Sequence, residues 1–334
     1  MDNMAFLLTT LVSFGITALL GIVMIPYLHR LKFGQTILDI GPAWHKKKQG
    51  TPTMGGIMFI IGVTIAVVTG YATLAATNPE LLADIRNNLR LFAGMAMALA
   101  FAAIGFLDDY IKVVRKRNMG LTARQKYLMQ LVVGVFYLTM LYLSGDVSTE
   151  ITIPFFGQLK LGLLYYVLAM IIITGFANAV NLTDGIDGLA SSVTFVYALT
   201  FLIIAGILRF AQTGLMACAL AGGCLGFLVW NFYPAKVFMG DTGSLFFGGL
   251  VVALAFDVGV PLLLVFAGVI YWCEAFSVIL QVISFKTTGR RIFKMSPIHH
   301  HFEMSGWSEI KIVTVFSIVT LAGGLLSVLA VLQM

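Results

Sequence analysis

Ten runs of roughly twenty residues almost free of charge constrain this chain more than any other feature. A helix rises 1.5 Å per residue, so crossing about 30 Å of hydrocarbon takes about 20 apolar residues. The runs cover about residues 5–28, 55–76, 91–107, 127–144, 162–180, 188–207, 214–230, 244–260, 263–284 and 311–333. Only helices and closed barrels satisfy their own backbone in lipid, and apolar stretches of this length, without alternation, read as helices. The expectation is an all-α, polytopic membrane protein, with residues 1–334 forming a single transmembrane domain. Composition agrees, since only 11% of the residues are charged against about 25% in soluble domains. The first run follows Met1-Asp2-Asn3 directly, has no basic lead and is too long for a signal core, so it reads as a span.

The charges then orient the spans. An even number of spans puts both termini on one side. The loops at 29–54, 108–126, 181–187, 231–243 and 285–310, with Lys311 at the edge, hold 17 of the 21 Lys and Arg. Arg86, Arg90, Lys160 and Arg209 are the 4 on the other side. By the positive-inside rule the first set is cytoplasmic and the termini are outside. The net charge of +6 therefore reports topology, and a nucleic-acid partner is not expected. Cys218, Cys224 and Cys273 sit in apolar runs at spacings that suit neither disulfides nor a metal, and read as packing residues. Outside the spans, 151–160 alternates around a Pro/Gly turn and suggests a small hairpin. Segment 285–295 mixes bases with aromatics and suits the lipid headgroup layer.

Chemistry concentrates on the cytoplasmic loops. Asp108-Asp109 repel each other at a helix end and need solvent, bases or a divalent cation; they read as a solvated end or as a metal or proton-handling site. Asn178 to Gly188, with Asn181, Asp184 and Asp187, is a dense polar cluster at the end of a span. It is either a turn or the lining of a wet site. In 231–244, Asn231, Phe238 and Asp241 precede a helix. Asp241 lies between glycines as a cap or a ligand, beside helix amides that favour phosphate. His299-His300-His301 suit an anionic diphosphate better than zinc, because adjacent residues point in different directions; a surface turn is the plain alternative. His45 to Gly56, with Lys48 and Thr53, offers bases before a Gly/Thr/Pro turn but lacks the glycine spacing of a Walker loop. It reads as headgroup attraction or phosphate contact. Together these groups form a phosphoryl-transfer toolkit of carboxylates for magnesium with bases around them.

Read in order, Thr-Pro-Thr-Met-Gly-Gly at 51–56, Asp-Asp-Tyr at 108–110, Asn-Leu-Thr-Asp-Gly-Ile-Asp-Gly-Leu-Ala at 181–190, Phe-Met-Gly-Asp-Thr-Gly-Ser at 238–244 and His-His-His-Phe-Glu at 299–303 carry a close resemblance. From about residue 20 onward the chain resembles the phospho-N-acetylmuramoyl-pentapeptide transferase family, of the polyprenyl-phosphate N-acetylhexosamine-1-phosphate transferase superfamily. The resemblance implies transfer of phospho-MurNAc-pentapeptide from UDP to undecaprenyl phosphate, giving lipid I and UMP for peptidoglycan. It also implies magnesium, a homodimer, the bacterial cytoplasmic membrane, a cytoplasmic site and a helical extension after the ninth span. By motif, Asp108, Asp109 and Asp241 are implied to be catalytic, with Asp108 the base and Asp241 the magnesium ligand. Lys48 and Thr53 are implied at the diphosphate. Asn181, Asp184, Asp187, Asn231 and Phe238 are implied around the uridine and diphosphate, and His299, His300 and His301 at the sugar-phosphate or peptide side. Direct attack by the lipid phosphate is favoured over an aspartyl-phosphate intermediate. The nearest alternatives are a sister UDP-GlcNAc enzyme and a transporter using Glu274, the one carboxylate expected near mid-membrane.

Overall fold

A computed structural model describes residues 3–31, 48–114 and 120–334. Asp39, His45, Lys46, Lys47, Arg115, Lys116 and Arg117 lie outside the described residues. Among those described, ten helices are long and apolar enough to cross a membrane. They are α1 (Asn3–Arg30), α2 (Gly56–Thr77), α3 (Ile85–Val114), α4 (Ala123–Leu143), α5 (Leu164–Thr183), α6 (Leu189–Leu208), α7 (Ala211–Asn231), α8 (Gly240–Asp257), α10 (Val269–Thr288) and α12 (Glu309–Leu332). Two shorter helices complete the set, α9 (Leu264–Ala267) and α11 (Ile298–Glu303). Each expected run falls on one of the ten long helices. The expected hairpin is present: β1 (Glu150–Ile153) pairs antiparallel with β2 (Gly157–Lys160).

Two expectations need correcting. The third span does not stop at 107 with a loop from 108, because α3 has 30 residues and runs on to Val114. Charges end the apolar stretch without ending the helix, so Arg86 and Arg90 extend it at one end and Asp108 to Lys112 at the other. Asp108 and Asp109 are therefore helical residues and not loop residues. The second correction concerns Glu274. From Pro261 a 3-10 turn, α9 and α10 run on to Thr288, roughly 40 Å of helical rise and more than a bilayer core needs. Glu274 touches His299 of the histidine turn, so it sits at that end of the bundle and not at mid-span. The helical extension ends at Thr288, and most of the basic-aromatic segment, from Gly289 to Met295, is irregular.

The bundle is built around α8, the most buried span. Its small residues permit close helix contact, as is usual where lipid gives no hydrophobic drive. Gly249 lies against Ala98 of α3, and Gly248 against Ala177 of α5. At the Asp241 end, Gly105 of α3 allows a closer approach. A Cβ there would stand 2.1 Å from the Asp241 carbonyl oxygen. The first turn of α8 thus rests directly on α3, one turn before Asp108. The 51–56 and 238–239 segments are laced together by Phe238 N to Pro52 O (2.8 Å), Gly55 N to Phe238 O (2.8 Å) and Gly56 N to Met239 O (3.1 Å). Two motifs far apart in sequence become one surface.

Candidate active site

The ends of α3, α5 and α8 converge as the aspartate clusters require. Gly240 has a φ of 70°, a conformation that favours glycine, and it turns the chain into α8 with Asp241 in the first turn. Ligand oxygens of Asp108, Asp109 and Asp241 all lie within 4.8 Å of one another. Asp108 and Asp109 are buried, while the Asp241 side chain is 20% exposed.

Each acid has distinct partners. Asp109 accepts from Asp241 N (3.2 Å), Thr242 N (2.9 Å) and Thr242 Oγ1 (2.7 Å), so it ties α3 to the N-terminus of α8. A helix N-terminus stabilises a carboxylate there. Asp108 accepts from Leu121 N at 2.7 Å and pairs with Lys112 at 2.5 Å. Asp241 receives Lys112 Nζ at 2.9 Å, Lys126 Nζ at 3.1 Å and Asn181 Nδ2 at 2.8 Å. Asn181 also donates to Ser244 Oγ at 2.7 Å, joining α5 to α8.

Lys112 is one of the nearby bases expected to compensate Asp108 and Asp109, but its reach to Asp241 was not foreseen, and Lys126 was counted only as a topology charge. The signal was nonetheless available: Lys112 lies four residues after Asp108 on one helix face. Lys126 follows a Thr122–Gln125 capping box that starts α4 and fixes where its first turn points.

A second cluster adjoins the first. Lys48 Nζ lies 2.7 Å from Asp187 Oδ1 and 2.6 Å from Glu309 Oε2. Ala235 N donates to Asp187 Oδ2 (2.8 Å), and Asp187 N donates to Glu309 Oε2 (3.0 Å). Lys48 thus holds the 184–188 turn, the 231–239 segment and the start of α12 together. Glu309 was also missed, because one acid at the start of an apolar run looks like an ordinary helix cap. Asn231 is buried and fully engaged: Oδ1 accepts from Gly188 N (3.2 Å), and Nδ2 donates to Val237 O (2.9 Å). Phe238 and Thr53 are half-buried, on the two laced segments. Asp184 is partly buried at the end of α5. Burial, with the carboxylates of Asp241, Asp109 and Asp187, pushes its carboxyl up to about 8.

The three histidines face different partners. His299 is fully buried, with Nδ1 3.1 Å from Glu274 Oε1 and its ring against Gly185. His300 Nδ1 lies 2.6 Å from Glu303 Oε2. His301 Nδ1 accepts from Lys294 N at 3.2 Å. Among the described residues, the grouping with metal-ligand spacing is the three aspartates and not the histidines. Carboxylate oxygens are the donors that hard divalent cations take, and two ammonium groups already converge on Asp241, where positive charge is favoured.

The chain is similar to known proteins over nearly its whole length. The glycosyl transferase family 4 model matches residues 91–259, and a phospho-N-acetylmuramoyl-pentapeptide-transferase signature matches residues 48–60. A phospho-N-acetylmuramoyl-pentapeptide-transferase of Clostridium botulinum is 47% identical, over 96% of this chain and 94% of its own. Enzymes of the same name from Bacillus subtilis and Clostridium perfringens are 45% and 49% identical, over 99% and 92% of this chain and 98% and 91% of their own lengths.

Proposed function

The chain belongs to the phospho-N-acetylmuramoyl-pentapeptide-transferases of glycosyl transferase family 4, and we propose how its residues perform that transfer. The reaction moves phospho-MurNAc-pentapeptide from UDP to undecaprenyl phosphate, giving lipid I and UMP. A lipid phosphate oxygen attacks the β-phosphorus. The bond from that phosphorus to the bridging oxygen breaks, and UMP leaves with the electron pair. The enzyme works as a homodimer in the bacterial cytoplasmic membrane, with this site on the cytoplasmic face, as the distribution of Lys and Arg supports.

The observation that carries the reading is the convergence of Asp108, Asp109 and Asp241 with Lys112 and Lys126 at one end of the bundle. Asp241, the most exposed of the three acids, would hold magnesium with its neighbours. Bound there, the cation would neutralise charge on the diphosphate and the leaving UMP. Lys112 and Lys126 stand ready to pass from Asp241 to the phosphate oxygens. Asp108 orients the lipid phosphate and takes its remaining proton; with a second pKa of roughly 6, that phosphate needs little deprotonation. Both Asp109 oxygens already accept bonds from the first turn of α8, which disfavours it as a nucleophile and supports direct attack over an aspartyl-phosphate. Asn181, Asp184, Asp187, Phe238 and Thr53 border the nucleotide. Lys48 and Asn231 hold the walls, and the histidine turn faces the sugar side.

The test is release of UMP from UDP-MurNAc-pentapeptide and from UDP-GlcNAc, each with polyprenyl phosphate, with and without magnesium. Release from the muramoyl substrate alone, dependent on both lipid and magnesium, is expected. Release from UDP-GlcNAc alone would make the chain the sister enzyme. A transporter reading loses its support with Glu274, which is engaged by the histidine turn.

A further inference from the structure

The bundle end opposite the aspartates carries a second polar site. Arg90 and Asp108 share α3 and are about 27 Å apart along its axis. Near Arg90 a cavity of about 300 Å³ opens between the start of α3, the β1–β2 hairpin and the turn after α8, a volume at the low end for small-ligand pockets. Its polar lining includes Arg86, Arg90, Asp146, Glu150 and Gln158. Its apolar lining includes Phe210, Phe256, Val258 and Pro261.

Arg90 is a built feature and not a surface charge, being only 4% exposed. Its Nη1 donates to Asp257 O at 2.9 Å, and its Nη2 pairs with Asp146. Its Nε is sealed from solvent without a partner among the described residues. Asp257 behind it is 1% exposed, with one carboxylate oxygen equally unpartnered. Buried groups in this state are costly and call for an explanation. Arg86, 54% exposed, also reaches Asp146, at 3.3 Å.

The cavity therefore offers two guanidinium groups and two carboxylates within one small volume. A simple anion would compete with Asp146 for both arginines, and a simple cation would meet both arginines. A group carrying both charges satisfies all four. We propose that this cavity binds phosphoethanolamine, with phosphate oxygens on Arg86 and on the part of the Arg90 side chain that lines the cavity, and the ammonium on Asp146 and Glu150. Phe156 and Leu163, 86% and 85% exposed, give the same hairpin and the turn after it a lipid-like surface. The apolar lining residues then suit the root of an acyl chain. The natural carrier is a membrane phospholipid with this headgroup.

The experiment uses the full chain in nanodiscs of phosphatidylethanolamine or phosphatidylglycerol, with native mass spectrometry to count retained lipid and thermal melting to verify folding. One phosphatidylethanolamine per chain should be retained, at least tenfold in preference to phosphatidylglycerol. Arg86→Gln and Glu150→Gln should each reduce retention at least fivefold while melting as the wild type does. If either variant melts low, Gln158→Leu on exposed β2 replaces it. Competition by free O-phosphoethanolamine would show that the headgroup suffices; selective retention without competition would show that the lipid form is the ligand. Equal retention of the two lipids, or folded variants that hold phosphatidylethanolamine like the wild type, would overturn the proposal.

Discussion

Gly105→Ala tests how the site is assembled. The added methyl would stand 2.1 Å from the Asp241 carbonyl oxygen, 2.4 Å from its carbon and 2.7 Å from Thr242 N. All three are backbone atoms, so no side chain can rotate away. Real contacts of this kind stop near 3.0 Å, so the first turn of α8 must recede from α3 by about 1 Å. Overpacking of this sort costs about 1–3 kcal/mol, partly offset by about 0.5–1 kcal/mol from replacing a helical glycine. The catalytic loss should be larger, because a 1 Å misplacement costs about 10²-fold in rate. Gly175→Ala is the matched control, since nothing lies within 4 Å of a Cβ at that helical position. UMP release and melting temperature are measured for both. Gly105→Ala should lose about 10²-fold in activity with a modest drop in melting temperature, while Gly175→Ala keeps full activity. If Gly105→Ala retains more than half the wild-type activity, the close seating of α8 on α3 does not position the site.

Other consequences follow from individual partners. Lys48→Met leaves Asp187 and Glu309 facing each other without their shared cation, so melting should fall by the equivalent of about 3–5 kcal/mol; adding Glu309→Gln should recover part of it, and no recovery would contradict the bridge. Lys126→Met removes one of two ammonium groups from Asp241 and should lower UMP release about 10²-fold with little change in melting. An unchanged rate would remove Lys126 from the site. Asp184 has its folded-state pKa raised from 3.8 to about 8, so the fold holds the proton more tightly than the unfolded chain does. That stabilisation is complete below pH 3.8 and is lost as pH rises toward 8. The melting temperature of Asp184→Asn relative to wild type should therefore climb between about pH 5 and pH 8, and parallel curves would refute the shift.

The number of spans was legible because apolar length is a property of the solvent crossed. Helix ends were less so: the apolar run in α3 stops before Asp108, yet its backbone continues to Val114. The aspartates stood out because charge beside lipid is expensive. Their division of labour did not, since capping of α8 by Asp109 depends on the approach at Gly105 and not on local sequence. Lys48 drew notice as a phosphate contact, but Asp187 and Glu309, both distant in sequence, engage it. Arg90 and Asp257 were passed over because each sits at the edge of an apolar run and shows its meaning only when α3 and α8 lie side by side.

The role proposed for the aspartate cluster at the start of α8 is the transfer itself. The direct measurement is UMP release from UDP-MurNAc-pentapeptide with undecaprenyl phosphate and magnesium, for the wild type and for Asp241→Asn, with melting confirmed in both. Lipid- and magnesium-dependent release by the wild type is expected, with a loss of about 10³-fold in a folded Asp241→Asn. Release by the variant at the wild-type rate would contradict it.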